Sequence, residues 1–124
     1  MTTILLVEDD PNQRLLYSEQ LARGGYDVMT AADGNEALCS LERATPDLVV
    51  MDISMPGMDG IEAMSRMLSR DHKLPVILNS AYATYKDNFR AWSADAYVVK
   101  SSDMVELKET IKRVLAENAA QSDG

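Results

Sequence analysis

The sequence predicts an α/β protein: a doubly wound parallel sheet of five strands, order 2-1-3-4-5, covered by helices on both faces. Two observations predict it. Short apolar runs alternate with segments whose apolar residues recur at helical spacing. The runs are apolar enough to be buried on both faces, as in parallel sheets. Strands that alternate with helices need crossover connections, and right-handed crossovers favour the doubly wound order. A third observation says where to look for function. The first and third runs both end on carboxylates.

Ile4-Leu5-Leu6-Val7 is the first strand and stops on Glu8-Asp9-Asp10. Asp10-Pro11-Asn12-Gln13 reads as a helix start, with Asp10 as N-cap, Pro11 at the first helical position and Gln13 closing a capping box. Gly24-Gly25 stops that helix. Val28-Met29-Thr30-Ala31 is a shorter, less apolar strand, followed from Gly34 by a helix through Ala37, Leu38 and Leu41. Thr45-Pro46-Asp47 breaks it and leads into Leu48-Val49-Val50-Met51-Asp52. After the turn Ile53 to Gly60, Ile61, Met64 and Leu68 recur at helical spacing. Pro75 introduces Val76-Ile77-Leu78, which ends on Asn79-Ser80. The polar and aromatic stretch from Ala81 to Ser93 holds a short helix around Asp87 to Trp92. Ala96-Tyr97-Val98-Val99 is the fifth strand and ends on Lys100. Met104, Leu107, Ile111, Val114 and Leu115 mark an amphipathic last helix with Asp103 near its start. From Asn118 the chain is small, polar and expected to fray, giving one domain over 1–118 and a tail over 119–124.

Size and charge narrow the function classes. The chain has 124 residues, one domain's worth, and is 46% hydrophobic and 26% charged, as ordinary globular proteins are. No stretch approaches the roughly 20 apolar residues of a membrane span. Met1-Thr2-Thr3 leads straight into a strand, so no signal peptide is expected, and the single Cys39 reads as an inert thiol of a reducing cytoplasm. A net charge of −8 disfavours direct binding to nucleic acid or to an anionic membrane.

Ligands of doubly wound folds bind at the carboxyl ends of the strands, where the order reverses. The residues at those ends are Glu8, Asp9, Asp52, Ser80 and Lys100. Taken singly, the acids read as solvated loop charges, Lys100 as a surface lysine, Ser80 as a turn former and Asp10 as a cap. Their joint arrival at one edge is not explained that way. Three carboxylates and one ammonium leave −2, which one Mg²⁺ would neutralise. Mg²⁺ prefers oxygen ligands and commonly binds through one or two carboxylates together with phosphate oxygens. A natural set is Asp9, Asp52, the main-chain carbonyl of Ser54, water held by Glu8, and an incoming phosphoryl group. Asp52 can then serve as in-line nucleophile, with Lys100 pairing one phosphoryl oxygen and Ser80 donating to another. His72 lies in a polar connection and is given no role. The methionines are packing residues, Met55 and Met58 anchoring the loop beside Asp52.

These residues resemble the receiver domain of two-component response regulators, over about Thr3 to Ala116. The resemblance rests on Ile4 to Asp10, Asp47 to Asp52, Met55-Pro56-Gly57-Met58-Asp59-Gly60, Pro75 to Ala81 and Tyr97-Val98-Val99-Lys100. It implies a flavodoxin-like fold of five βα units and a stand-alone, chemotaxis-regulator-like phosphoprotein of a two-component system or phosphorelay. Asp52 would take its phosphoryl group from a phosphohistidine on a sensor histidine kinase or a histidine phosphotransfer protein. Glu8 and Asp9 would hold Mg²⁺, and Ser80 would be the switch hydroxyl. Tyr97 would be the aromatic whose rotamer accompanies signalling. Phosphorylation would draw Ser80 inward, admit Tyr97, and change the face of the fourth helix, fifth strand and fifth helix. Output would pass to an unknown protein target, and a phosphorylation-dependent dimer is a further implied assembly.

The chain departs from the family pattern at Ser101-Ser102, where a proline commonly follows the lysine. Between Ser80 and Lys100 it is slightly short and carries Tyr82, Tyr85, Phe89 and Trp92, which implies an unusual fourth helix. Phe89 and Trp92 fit either the core or a partner surface. The ring of Tyr82 is expected to restrict the water that hydrolyses the acyl phosphate. Three other readings compete. A metal-dependent phosphohydrolase would need a second acid where Ser54 stands. A flavodoxin-like cofactor binder would need a phosphate loop where Glu8-Asp9-Asp10 stands. A pseudo-receiver would bind partners without being phosphorylated.

Overall fold

In the computed structural model, residues 2–52, 60–71, 73–81, 94–101 and 104–122 are described. Their element order is β1 Thr3–Val7, α1 Pro11–Arg23, β2 Asp27–Ala31, α2 Gly34–Arg43, β3 Leu48–Met51, α3 Gly60–Arg70, β4 Val76–Ser80, β5 Ala96–Val99 and α4 Val105–Ser122. All four pairings are parallel and give one sheet, β2-β1-β3-β4-β5, the order expected from the alternation of runs. The helix expected around Asp87 to Trp92 lies outside the described residues, as do Ser54, Met55, Met58, His72, Tyr82, Tyr85, Phe89, Ser102 and Asp103.

The period-two geometry of a strand sorts each apolar run onto two faces. Leu5, Val7, Val49, Met51, Val76, Leu78 and Tyr97 pack with Ala37 of α2 and with Ala63, Met64 and Met67 of α3. Ile4, Leu6, Leu48, Val50, Ile77, Ala96 and Val98 pack with Tyr17 and Leu21 of α1 and with Leu107, Ile111 and Val114 of α4. β1, β3, β4 and β5 are therefore buried along nearly their whole length, while β2, at one sheet edge, is only partly buried.

Register is locked at the amino ends of two strands by the same device. Asp47 precedes β3; its N–H donates to the Thr3 carbonyl at 2.8 Å and its carboxylate accepts from the Thr3 N–H at 2.8 Å. Asp95 precedes β5 and does likewise for β4, its N–H donating to the Val76 carbonyl and its Oδ2 accepting from the Val76 N–H, both at 2.8 Å. Each aspartate supplies the acceptor that a neighbouring strand's first N–H would otherwise lack. Burial, the larger effect, raises the Asp95 carboxyl above its ordinary 3.8 against the lowering by the Val76 N–H. The folded chain thus binds this proton more tightly than the unfolded chain. That contribution to stability is fully present below 3.8 and lost as pH rises through the higher folded value. Asp95→Asn, which keeps an acceptor, should flatten the dependence of urea midpoint on pH in that window. Asp95→Ala should cost about 1–2 kcal/mol by leaving the buried Val76 N–H unpaired. Unchanged midpoints in both variants would refute the device.

Two helix ends differ from the sequence expectation. Asp10 does cap α1, Oδ1 accepting from the N–H groups of Asn12 at 2.8 Å and Gln13 at 3.2 Å. The reciprocal half of the capping box is not made by Gln13, because the Asp10 N–H donates to Glu8 Oε2 at 3.2 Å and the Gln13 side chain is engaged elsewhere. The last helix runs to Ser122, into the stretch expected to fray from Asn118, in keeping with the helix propensity of Ala119-Ala120-Gln121. The stop at Gly24-Gly25 is as expected, Gly25 taking the left-handed conformation at φ 95° that glycine alone adopts without cost.

Candidate functional site

Ladder bonds continue one residue past three strand ends and so fix the backbone of the site. The Glu8 N–H donates to the Ala31 carbonyl at 3.0 Å, Asp52 N–H to Val7 at 3.1 Å, and Lys100 N–H to Ser80 at 2.7 Å. Glu8 and Asp52 are thereby neighbours at the ends of adjacent strands. Lys100 reaches them from the end of β5, two strands from β3 and three from β1, as the length of its stem allows.

Side chains then converge. One carboxylate oxygen from each of Glu8, Asp9 and Asp52 lies within 4.8 Å of the others, a separation that suits a shared hard cation. Lys100 Nζ donates to Glu8 Oε1 at 2.6 Å, Gln13 Oε1 at 2.7 Å and Asp52 Oδ2 at 2.9 Å. Glu8 is 2% exposed and Asp52 8%, and the lysine side chain is 12% exposed. Burial raises the Glu8 carboxyl above its ordinary 4.5, and the nearby Asp52 charge adds to that, against the lowering by Lys100 and by the Asp10 N–H. Burial alone would lower Lys100, but its bonds to Glu8 and Asp52 hold it above 10.5, so it is an ammonium at every physiological pH.

Of the residues singled out in the sequence, Glu8, Asp9, Asp52 and Lys100 are brought together. Ser80, completely buried, ends β4, the strand between those that lead into Asp52 and Lys100. Tyr97 stands in register with Leu78 and is buried in the α2–α3 face of the core, so its ring is inward. Two residues that the sequence did not assign to the site belong to it. Gln13 accepts from Lys100. Arg14 Nη1 donates to the carbonyls of Glu8 at 2.8 Å and Asp9 at 3.4 Å, bracing the main chain of the acidic pair. Helix geometry is the signal that finds them. Side chains lean toward the helix N-terminus, so the first turn of α1 reaches back over the end of β1.

A tight group of carboxylates held by one ammonium can bind a divalent cation and present an oxygen nucleophile beside it. The described residues include no helix long and apolar enough to cross a membrane.

Comparison with known proteins agrees with this arrangement. The profile of the response regulator receiver domain matches residues 4–112. The chain is 40% identical over 114 residues to the regulatory protein AtoC of Escherichia coli, covering 90% of this chain but only 25% of AtoC. It is 34% identical to the sporulation initiation phosphotransferase F of Bacillus subtilis, covering 90% of this chain and 92% of that one. Among solved structures, the response regulator TrrA of Thermotoga maritima in complex with Mg²⁺-BeF superposes with a TM-score of 0.86 at 41% identity, over 92% of this chain and 99% of TrrA. TrrA has also been solved with the histidine kinase ThkA, and that copy gives a TM-score of 0.85 at 42% identity, over 93% of this chain and 99% of TrrA.

Proposed function

This chain belongs to the response regulator receiver domain family, and we propose that it accepts a phosphoryl group on Asp52 from a phosphohistidine and signals by protein contact. One observation carries the reading: Asp52 sits in a cluster of three carboxylates within 4.8 Å, tied to a lysine that donates to it at 2.9 Å. An Asp52 oxygen attacks phosphorus as the N–P bond of the donor breaks. The imidazole nitrogen keeps the bonding pair and takes a proton from solvent, and Asp52 becomes an acyl phosphate. The Lys100 N–H now given to Asp52 turns to a phosphoryl oxygen, and the Ser80 hydroxyl serves a second.

Glu8, Asp9 and Asp52 fit Mg²⁺ by donor type, spacing and the −2 they leave after Lys100 is counted. The main-chain carbonyl of Ser54 completes the proposed set. Bound there, Mg²⁺ supplies neutralisation of charge on the phosphoryl oxygens. The donor is a sensor histidine kinase or a histidine phosphotransfer protein in the cytoplasm. Support comes from the TrrA–ThkA complex and from the exposed Leu15 and Leu16, which follow the site residues Gln13 and Arg14 on α1. Ser80 and Tyr97 form the switch, passing the change to a protein target or a second phosphorylated copy. The match along nearly the whole phosphotransferase F supports a module that works through such contacts.

Incubation with acetyl phosphate should give one adduct by intact mass with Mg²⁺ and none with a chelator. Hydroxylamine should cleave it and leave a hydroxamate at position 52. No adduct, or a hydroxamate elsewhere, would end the reading.

A further inference from the structure

We propose that Gln13 is a positioning residue for phosphoryl transfer, holding the Lys100 ammonium so that one N–H stays aimed at the acceptor oxygen. The inference rests on the reading of Asp52 as phosphoacceptor. An ammonium has three N–H donors and no acceptor. Here all three are taken, by Glu8, Gln13 and Asp52 at 2.6, 2.7 and 2.9 Å. The three acceptors are not equivalent. Asp52 is the group that reacts, and its bond to Lys100 is the one that must be given up to a phosphoryl oxygen. Glu8 belongs to the carboxylate cluster that shares a cation. Gln13 alone belongs to neither, so its bond can persist through the reaction.

The chemistry of the amide suits that task. Because lysine only donates, the amide oxygen must be the atom that faces it. The oxygen is neutral and adds nothing to the −2 of the cluster, whereas a carboxylate in its place would compete with the phosphoryl group for the ammonium. Its anchorage is firm as well. Gln13 is the third residue of α1, its own N–H is bonded to Asp10 Oδ1, and the helix is pinned to the sheet through Tyr17 and Leu21. A lysine stem has four rotatable bonds, and two fixed acceptors are what convert such a flexible charge into an aimed donor.

The test is a double-mutant cycle in the full chain. Gln13→Met keeps the length and removes the acceptor. With acetyl phosphate and saturating Mg²⁺ it should slow adduct formation about tenfold, with Mg²⁺ affinity by calorimetry close to the parent. In a Lys100→Met background the same substitution should change nothing further. Before any phosphodonor is added, the Lys100 Nζ protons, followed by ¹⁵N-resolved NMR, should exchange with water faster in Gln13→Met than in the parent. An unslowed Gln13→Met, equal slowing in both backgrounds, or unaltered Nζ exchange overturns the inference while leaving the phosphoacceptor reading intact. A parent that forms no adduct sinks that reading first, and this one with it.

Discussion

Asp52→Asn is expected to abolish phosphoryl uptake while leaving the chain folded and, without divalent cation, more stable than the parent. The first half follows from nucleophilicity: an amide oxygen carries no charge to form the acyl phosphate. The second half follows from the balance at the site. Asp52 is bonded to Lys100 at 2.9 Å and shares its cluster with two like charges, Glu8 and Asp9. It is also desolvated, at 8% exposure. Asparagine keeps an acceptor for Lys100, drops both repulsions and removes the cost of a buried charge, a gain of about 1 kcal/mol. Mg²⁺ should bind about tenfold more weakly as the cluster charge falls from −2 to −1. Chemical denaturation with and without Mg²⁺, together with intact mass after acetyl phosphate, measures all three. An adduct on the variant would dismiss Asp52 as acceptor.

Most of this fold was legible in the sequence because its strands are short, apolar and bounded by breakers. Leu48 to Met51, between Asp47 and Asp52, could hardly be anything but a buried strand, and strand-end carboxylates make the sheet edge visible. The meeting of Glu8, Asp9, Asp52 and Lys100 at that edge was legible for the same reason, since topology alone brings strand ends together. What escaped was set by side-chain direction and competition. Gln13 fits a capping box by spacing, but a local N–H is a weaker partner than a buried ammonium, and Lys100 takes the amide instead. Arg14 has no sequence signal that sets it apart from any other helix cation, and only the fold lays its guanidinium across the carbonyls of Glu8 and Asp9. Asp47 and Asp95 each stand in for a missing strand partner, which only the register of the folded sheet shows.

The converse substitution, Lys100→Met, should separate the structural from the chemical work of the ammonium. Methionine fills much of the same volume and removes the charge. Glu8 and Asp52, with side chains 3% and 10% exposed, would then face each other and Asp9 with no cation between them. Removing one partner of a buried pair is far costlier than never having had it. Without divalent ions the variant should lose about 2 kcal/mol, less than a fully enclosed pair because the cluster stands at the open edge of the sheet. Part of that loss should appear as proton uptake by Glu8, whose carboxyl is already raised by burial and would lose the two Lys100 interactions that now lower it. Mg²⁺ should restore the midpoint, and should bind about tenfold more tightly than in the parent because the cluster goes from −2 to −3. Tighter metal should nonetheless accompany slower adduct formation, because the charge that meets the phosphoryl oxygen is gone. Calorimetric Mg²⁺ titration, urea midpoints in chelator and in Mg²⁺, and adduct kinetics give the three numbers. If metal affinity and adduct rate rose together, Lys100 would be acting only as a counter-ion to the carboxylates and not as a partner of the phosphoryl group.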